Sequence, residues 1–199
     1  MDAHLPGLGR MLYSFVANPE AEIPRAANPL FQHLLDTYAS ETNEVISVWR
    51  CFDPADLSFR PHPRSSTVAD ILKHQLLSER RFFGEFIGAP EPPASEVLPA
   101  SLELNACINR MAQLARPRLS FLASRSAEGW VQQVLFFDVS RQRIWVFWRR
   151  LLHTCHHRTQ LTAYLRALNQ AVPAVYGPTS DQTWDTADPT TSVAAAERK

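Results

Sequence analysis

The chain has 199 residues, and its 20 Lys and Arg balance 20 Asp and Glu for a formal net charge of zero. This length fits one ordinary domain with a core of its own, and 45% hydrophobic against 20% charged residues excludes a disordered chain. The charge balance argues against a polyanion-coating protein, which needs a basic excess.

The first 27 residues read as an N-terminal extension. They show no basic stretch followed by a continuous apolar core, so no signal peptide is expected. The apolar runs fall far short of the roughly 20 residues needed to span a bilayer. Cys51, Cys107 and Cys155 are odd in number and widely spaced, which favours a reducing compartment. A cytoplasmic protein with no membrane partner is therefore expected. The chain has only six Gly, and no phosphate-cradling glycine motif is present.

Pro-rich connections divide the remainder into four long segments. The first opens at Asn28-Pro29, a cap followed by Pro at the first helical position. Phe31, Leu34, Leu35, Tyr38, Val45, Ile46 and Trp49 follow at steps of three and four, one stripe of a helix. The second runs from Ser65-Ser66-Thr67 to about Ile87 and the third from about Ser101 to Ser124, where Pro117 should kink or split it. Residues 130–138, WVQQVLFFD, fit either a short extended stretch or the lead-in to the fourth helix, which runs from about Arg141 to Gln170. Residues 179–199 form a polar tail with Trp184 as its large anchor. The expected fold class is all-α, an up-down four-helix bundle with long Pro-rich loops and an extended C-terminal tail, its domain spanning residues 28–178.

The chemistry concentrates in the fourth segment. His153 and His157 are four residues apart, about 40° apart in projection on one helical face. That spacing lets a helix hold one divalent metal, although His pairs at this spacing are also common on ordinary helix surfaces. His74, in the middle of the second helix, is a candidate third ligand. Three His ligands leave a coordination position open, as in catalytic rather than structural sites. Gln160 and Tyr164 share the ligand face and are pocket candidates, with plain packing as the alternative. Arg149 and Arg150, one turn before His153, could bind a carboxylate or simply be a solvated helix end. Arg158 and Cys155 point away from the ligand face.

Ile71-Leu72-Lys73-His74-Gln75-Leu76-Leu77-Ser78-Glu79-Arg80-Arg81-Phe82-Phe83 resembles the second-helix signature of the DinB family, also called DinB/YfiT. His153-Thr154-Cys155-His156-His157-Arg158-Thr159-Gln160 resembles its HxxxHRxQ fourth-helix signature. Tyr38–Asn43 and Pro173–Pro178 are similar to further parts of that pattern, so the resemblance spans roughly Asn28 to Pro178. It implies a damage-inducible family with a four-helix bundle, a three-histidine site for zinc or nickel made here by His74, His153 and His157, and commonly a homodimer. It also implies transfer of a low-molecular-weight thiol of the glutathione, bacillithiol or mycothiol type to an electrophilic small molecule, or an isomerase using such a thiol. The alternatives are a metal-dependent hydrolase, with Glu79 and Glu85 as the nearest acids in the second helix, and a non-catalytic metal- or ligand-binding stress-response protein. No nucleic-acid partner is expected. Six arginines and no acidic residue between Asp138 and Asp181 make the fourth helix cationic, a field that would favour an anionic thiol.

Overall fold

A computed structural model describes residues 16–176 and 179–181. Most of the N-terminal extension, Gly177, Pro178 and the tail from residue 182, Trp184 included, lie outside the described residues.

Helix α1 (Gln32–Trp49) is entered through a single 3-10 turn, Pro29–Phe31. The Asn28 side-chain oxygen accepts the Leu30 N–H at 3.0 Å, which satisfies one of the orphan donors at a helix start. Helix α2 (Val68–Arg81) begins with a reciprocal capping box. The Asp70 N–H donates to Thr67 Oγ1 at 3.1 Å, and the Thr67 N–H donates to the Asp70 carboxylate at 3.0 Å.

The second predicted helix does not stay α-helical to Ile87. Phe82–Ile87 is a π-helical segment, an uncommon form that widens the turn. It stops at Gly88, whose φ of +83° lies in the left-handed region that glycine enters without strain. Its last carbonyls find cationic partners: Arg125 Nη2 donates to the Ile87 carbonyl at 2.6 Å and Arg143 Nε to that of Phe86 at 3.3 Å.

A short helix α3 (Ala94–Val97) precedes α4 (Leu104–Ala123). Helix α4 is not split at Pro117. Pro117 and Gln113, four residues before it, both lie on the exposed side of the helix, so the proline ring does not intrude on the core. Helix α5 (Ala127–Val131), strand β1 (Gln133–Phe136) and strand β2 (Val139–Gln142) then lead into α6 (Arg143–Ala167). The strands pair antiparallel, with Phe136 opposite Val139, which leaves a two-residue turn at Phe137-Asp138. This hairpin corrects the all-α expectation. Its β-favouring Val, Leu and Phe residues follow a helix too short to absorb them.

Helix α1 packs on α4 and α6, and α2 packs on the same two helices. One core cluster joins Trp49, Ile71, Leu76, Ile108 and Leu161; a second joins Leu34, Tyr38, Phe83, Leu119 and Phe147. A third, smaller cluster of Phe82, Phe86, Phe136 and Val146 sits where the hairpin meets the π segment. Contacts run in opposite chain order along α2 and α6. Ser66 meets Tyr164, His74 meets His153, and Phe86 meets Arg143, so the two helices are antiparallel. No helix among the described residues is long and apolar enough to cross a membrane.

Candidate metal centre

Helix α6 places His153 and His157 one turn apart, and antiparallel α2 brings His74 against them. His153 Nε2 lies 3.3 Å from both His74 Nε2 and His157 Nε2. One ring nitrogen from each histidine falls within 4.8 Å of the others, the arrangement expected of three ligands to one cation. The separation fits. Ligands about 2.0–2.1 Å from a tetrahedral ion lie about 3.3–3.4 Å from each other.

The hydrogen bonds behind the rings decide which nitrogen is free. His157 Nδ1 lies 3.1 Å from Gln160 Oε1. An amide oxygen only accepts, so Nδ1 carries the proton and Nε2 keeps its lone pair toward the other histidines. Gln160 is fixed in turn, since its Nε2 donates to the Tyr164 hydroxyl at 3.2 Å, and that hydroxyl donates to the Ser66 carbonyl at 3.0 Å. Ser66 immediately precedes the α2 cap, so one chain of bonds sets both a ring orientation and the placement of α2. Ser78 Oγ stands 3.4 Å from His153 Nδ1. Lone pairs facing one another at 3.3 Å repel unless a cation lies between them, and this donor set therefore suits a divalent metal.

The local field also keeps the rings neutral. Burial is the largest cause for all three, and the Arg150 guanidinium adds to it. His153 is pushed down to about 3 by burial, then by Arg150 and the neighbouring histidines, while His74 and His157 fall below the ordinary imidazole value. The hydrogen bond from Gln160 works in the opposite direction on His157. Neutral imidazole is the form that binds metal. His74 is exposed and the other two are half-buried, so the cluster opens to solvent on the α2 side.

The remaining predicted residues take distinct places. Gln160 and Tyr164 lie behind His157, and Tyr164 is buried with its ring edge-on to Phe59. Arg149 is exposed on α6. Arg150 is turned inward and buried. It donates to Thr154 Oγ1, lies 3.7 Å from Glu79 Oε2, and stacks over the Phe82 ring. Glu79 also pairs with Arg118 at 3.1 Å, and Arg118 grips Glu91 through two bonds of 2.6 and 2.7 Å. This buried charge network beneath the histidines has a trace in the sequence: Glu79 falls on the α2 stripe of Ile71, Leu72, Gln75 and Leu76, where a charge needs a partner. Neither Arg118 nor Glu91, far along the chain, identifies itself as that partner.

On the opposite side of α6, Arg158 pairs with Glu41 at 2.6 Å and lies over the Tyr176 ring. Cys155 Sγ lies 3.1 Å from Glu41 and 3.2 Å from the Tyr176 hydroxyl. Both residues face away from the histidines, as their positions on the helix required.

The sequence model of the DinB family matches residues 25–188. A DinB-like protein from Bacillus cereus ATCC 10987 is similar in structure, with a TM-score of 0.63 at 17% identity over 72% of this chain and 95% of that one. A DinB-like protein from Bacillus subtilis gives a TM-score of 0.60 at 15% identity over 72% and 97%. No curated protein matches the sequence.

Proposed function

The chain belongs to the DinB family, and on that premise we propose that it is a divalent-metal-dependent enzyme that transfers a low-molecular-weight thiol to an electrophilic small molecule. The observation that carries this reading is the convergence of His74, His153 and His157 on one point at ligand spacing, with an exposed side.

In this reading the three histidines hold the ion through their inward nitrogens. A zinc or nickel ion held there would supply Lewis acidity that lowers the pKa of a thiol toward neutrality. The chain's own residues do the rest. Gln160 keeps the His157 tautomer that presents Nε2. The Tyr164 bond to Ser66 holds the α2 start against α6, so that His74 stays in reach of the other two. Buried Arg150 favours neutral rings. In the same reading exposed Arg149, one turn from His153, meets a carboxylate of a thiol such as glutathione. We also read the four long helices as an up-down bundle and the active form as a homodimer.

The hydrolase alternative needs a carboxylate base beside the ion. Glu79 is buried and paired with Arg118 and Arg150, and Glu85 is tied to Arg80 and Arg81 on the surface. Neither acid is placed for that work.

The test is an assay of tag-free protein with glutathione, bacillithiol and mycothiol against a generic alkylating electrophile. Thiol consumption that disappears with a chelator and in His153→Ala is expected. Failure to consume any of the three thiols would reject the transferase reading.

A further inference from the structure

Helix α6 carries an uncharged stripe on the side it turns to solvent. Trp145, Trp148, Leu152, His156 and Thr159 are all exposed and fall within about 80° of one another in helical projection. Trp145 is 43%, Trp148 36% and Leu152 61% exposed, and Leu30, in the turn that enters α1, is 77% exposed. Trp148 stacks on His33 of α1, with centroids 6.1 Å apart and planes at 17°, so the surface continues across the seam between the two helices. Single exposed apolar side chains are ordinary. Two tryptophans and a leucine on successive turns, with no charge among them, mark a surface that meets another.

The stripe fits a copy of itself. Its spacing is symmetric about Leu152: Trp148 and Trp145 stand four and seven residues before it, His156 and Thr159 four and seven residues after it. Its bulk is not symmetric, with both tryptophans at one end and an imidazole and a threonine at the other. A second α6 laid antiparallel, with the two-fold axis at Leu152, sets Trp148 against His156 of the second copy and Trp145 against its Thr159. The two leucines meet on the axis. Large side chains then face smaller ones on both sides of it, the reciprocal match that an isologous interface requires. The contact runs about 21 Å along the helix. A few hundred Å² of apolar surface on each copy, with its polar surround, brings the total to the roughly 1,000 Å² that a specific interface needs.

We propose that two copies of this chain associate through the solvent face of α6, antiparallel about Leu152. This rests on the homodimer reading and names the surface that makes it. It also ties the assembly to the metal centre. The His156 ring lies 4.9 Å from that of His157, with planes at 70°. Trp148 of the second copy therefore packs on the imidazole next to a candidate ligand. Each copy buttresses the helix face beside the other's three-histidine cluster, while the exposed side at His74 stays open.

Sedimentation velocity on the full-length protein, over a range of micromolar concentrations, tests the proposal. The wild type is expected to be a dimer. Leu152→Arg sets two like charges face to face on the axis and should weaken dimerisation roughly a hundredfold. Leu152 and Thr159 are both exposed, so substitution at either should keep the wild-type helix content by circular dichroism. Thr159→Trp crowds Trp145 of the second copy and should weaken dimerisation roughly tenfold. Adding Trp145→Thr to that variant exchanges the large and small partners, and it should return the affinity to within about threefold of the wild type. A monomeric wild type would overturn the proposal together with the homodimer reading. A dimer that Leu152→Arg leaves intact, or a double variant no tighter than Thr159→Trp alone, would overturn the α6 surface and leave the homodimer reading to another face.

Discussion

His157 is held by its neighbour rather than by packing alone. Gln160 accepts from Nδ1 and is itself held by Tyr164 and Ser66, so the lone pair at Nε2 is aimed before any ion arrives. Removing the amide frees the ring and its tautomer without opening the core, because Gln160 is only half-buried. Gln160→Ala should therefore weaken metal binding about 10–100-fold while leaving the fold intact. Competition with a chromophoric chelator reads this directly, and unchanged affinity would mean that something other than Gln160 orients the ring. The histidines themselves were legible in the sequence, since a four-residue spacing puts two rings on one face and the family signature adds the third. The role of Gln160 was not. Its helical position placed it on the ligand face but did not say whether its amide met a ring, a substrate or water.

Helix α6 carries different work on its two sides, and the difference can be measured. Arg158 is almost wholly buried against Glu41, whereas Arg166 meets Asp181 at 2.6 Å on the surface. Arg158→Ala leaves a carboxylate buried without its cation and should cost about 3–5 kcal/mol in denaturant unfolding. Arg166→Ala breaks an exposed pair and should cost less than about 1 kcal/mol. Comparable losses in the two variants would contradict the burial assigned to Arg158. The sequence made α6 look uniformly cationic. The fold supplies acids from elsewhere, Glu79 from α2, Glu41 from α1 and Asp181 from the tail, and no local pattern announces such partners. Arg150, read from the sequence as a surface residue or a carboxylate binder, is buried in this network, while Arg149 remains exposed. The π segment and the hairpin were hidden for a related reason. FFGEF continues an apolar helical stripe, and WVQQVLFFD suits strand and helix alike, so tertiary contacts with Arg125, Arg143 and Phe82 decide both.

At the scale of the whole molecule, the histidines link stability to pH. His153 is held at about 3, and His74 and His157 are also below the ordinary value near 6.5, so the unfolded chain binds protons that the fold refuses. Stability from these groups is fully present above about pH 6.5 and is lost as pH falls toward the folded values. Metal-free protein should show a midpoint of denaturation that drops across this window, and His153→Gln should flatten the drop. A midpoint independent of pH between about 6.5 and 4 would show that the rings titrate normally.

Everything proposed about the reaction depends on one ion between α2 and α6. The most direct measurement is elemental analysis of protein purified without a histidine tag, beside His153→Ala purified in the same way. The wild type should carry about one zinc, nickel or similar divalent ion per chain, and the variant should carry essentially none. A wild-type protein without bound metal, or a variant that keeps the full complement, would contradict a centre built from His74, His153 and His157.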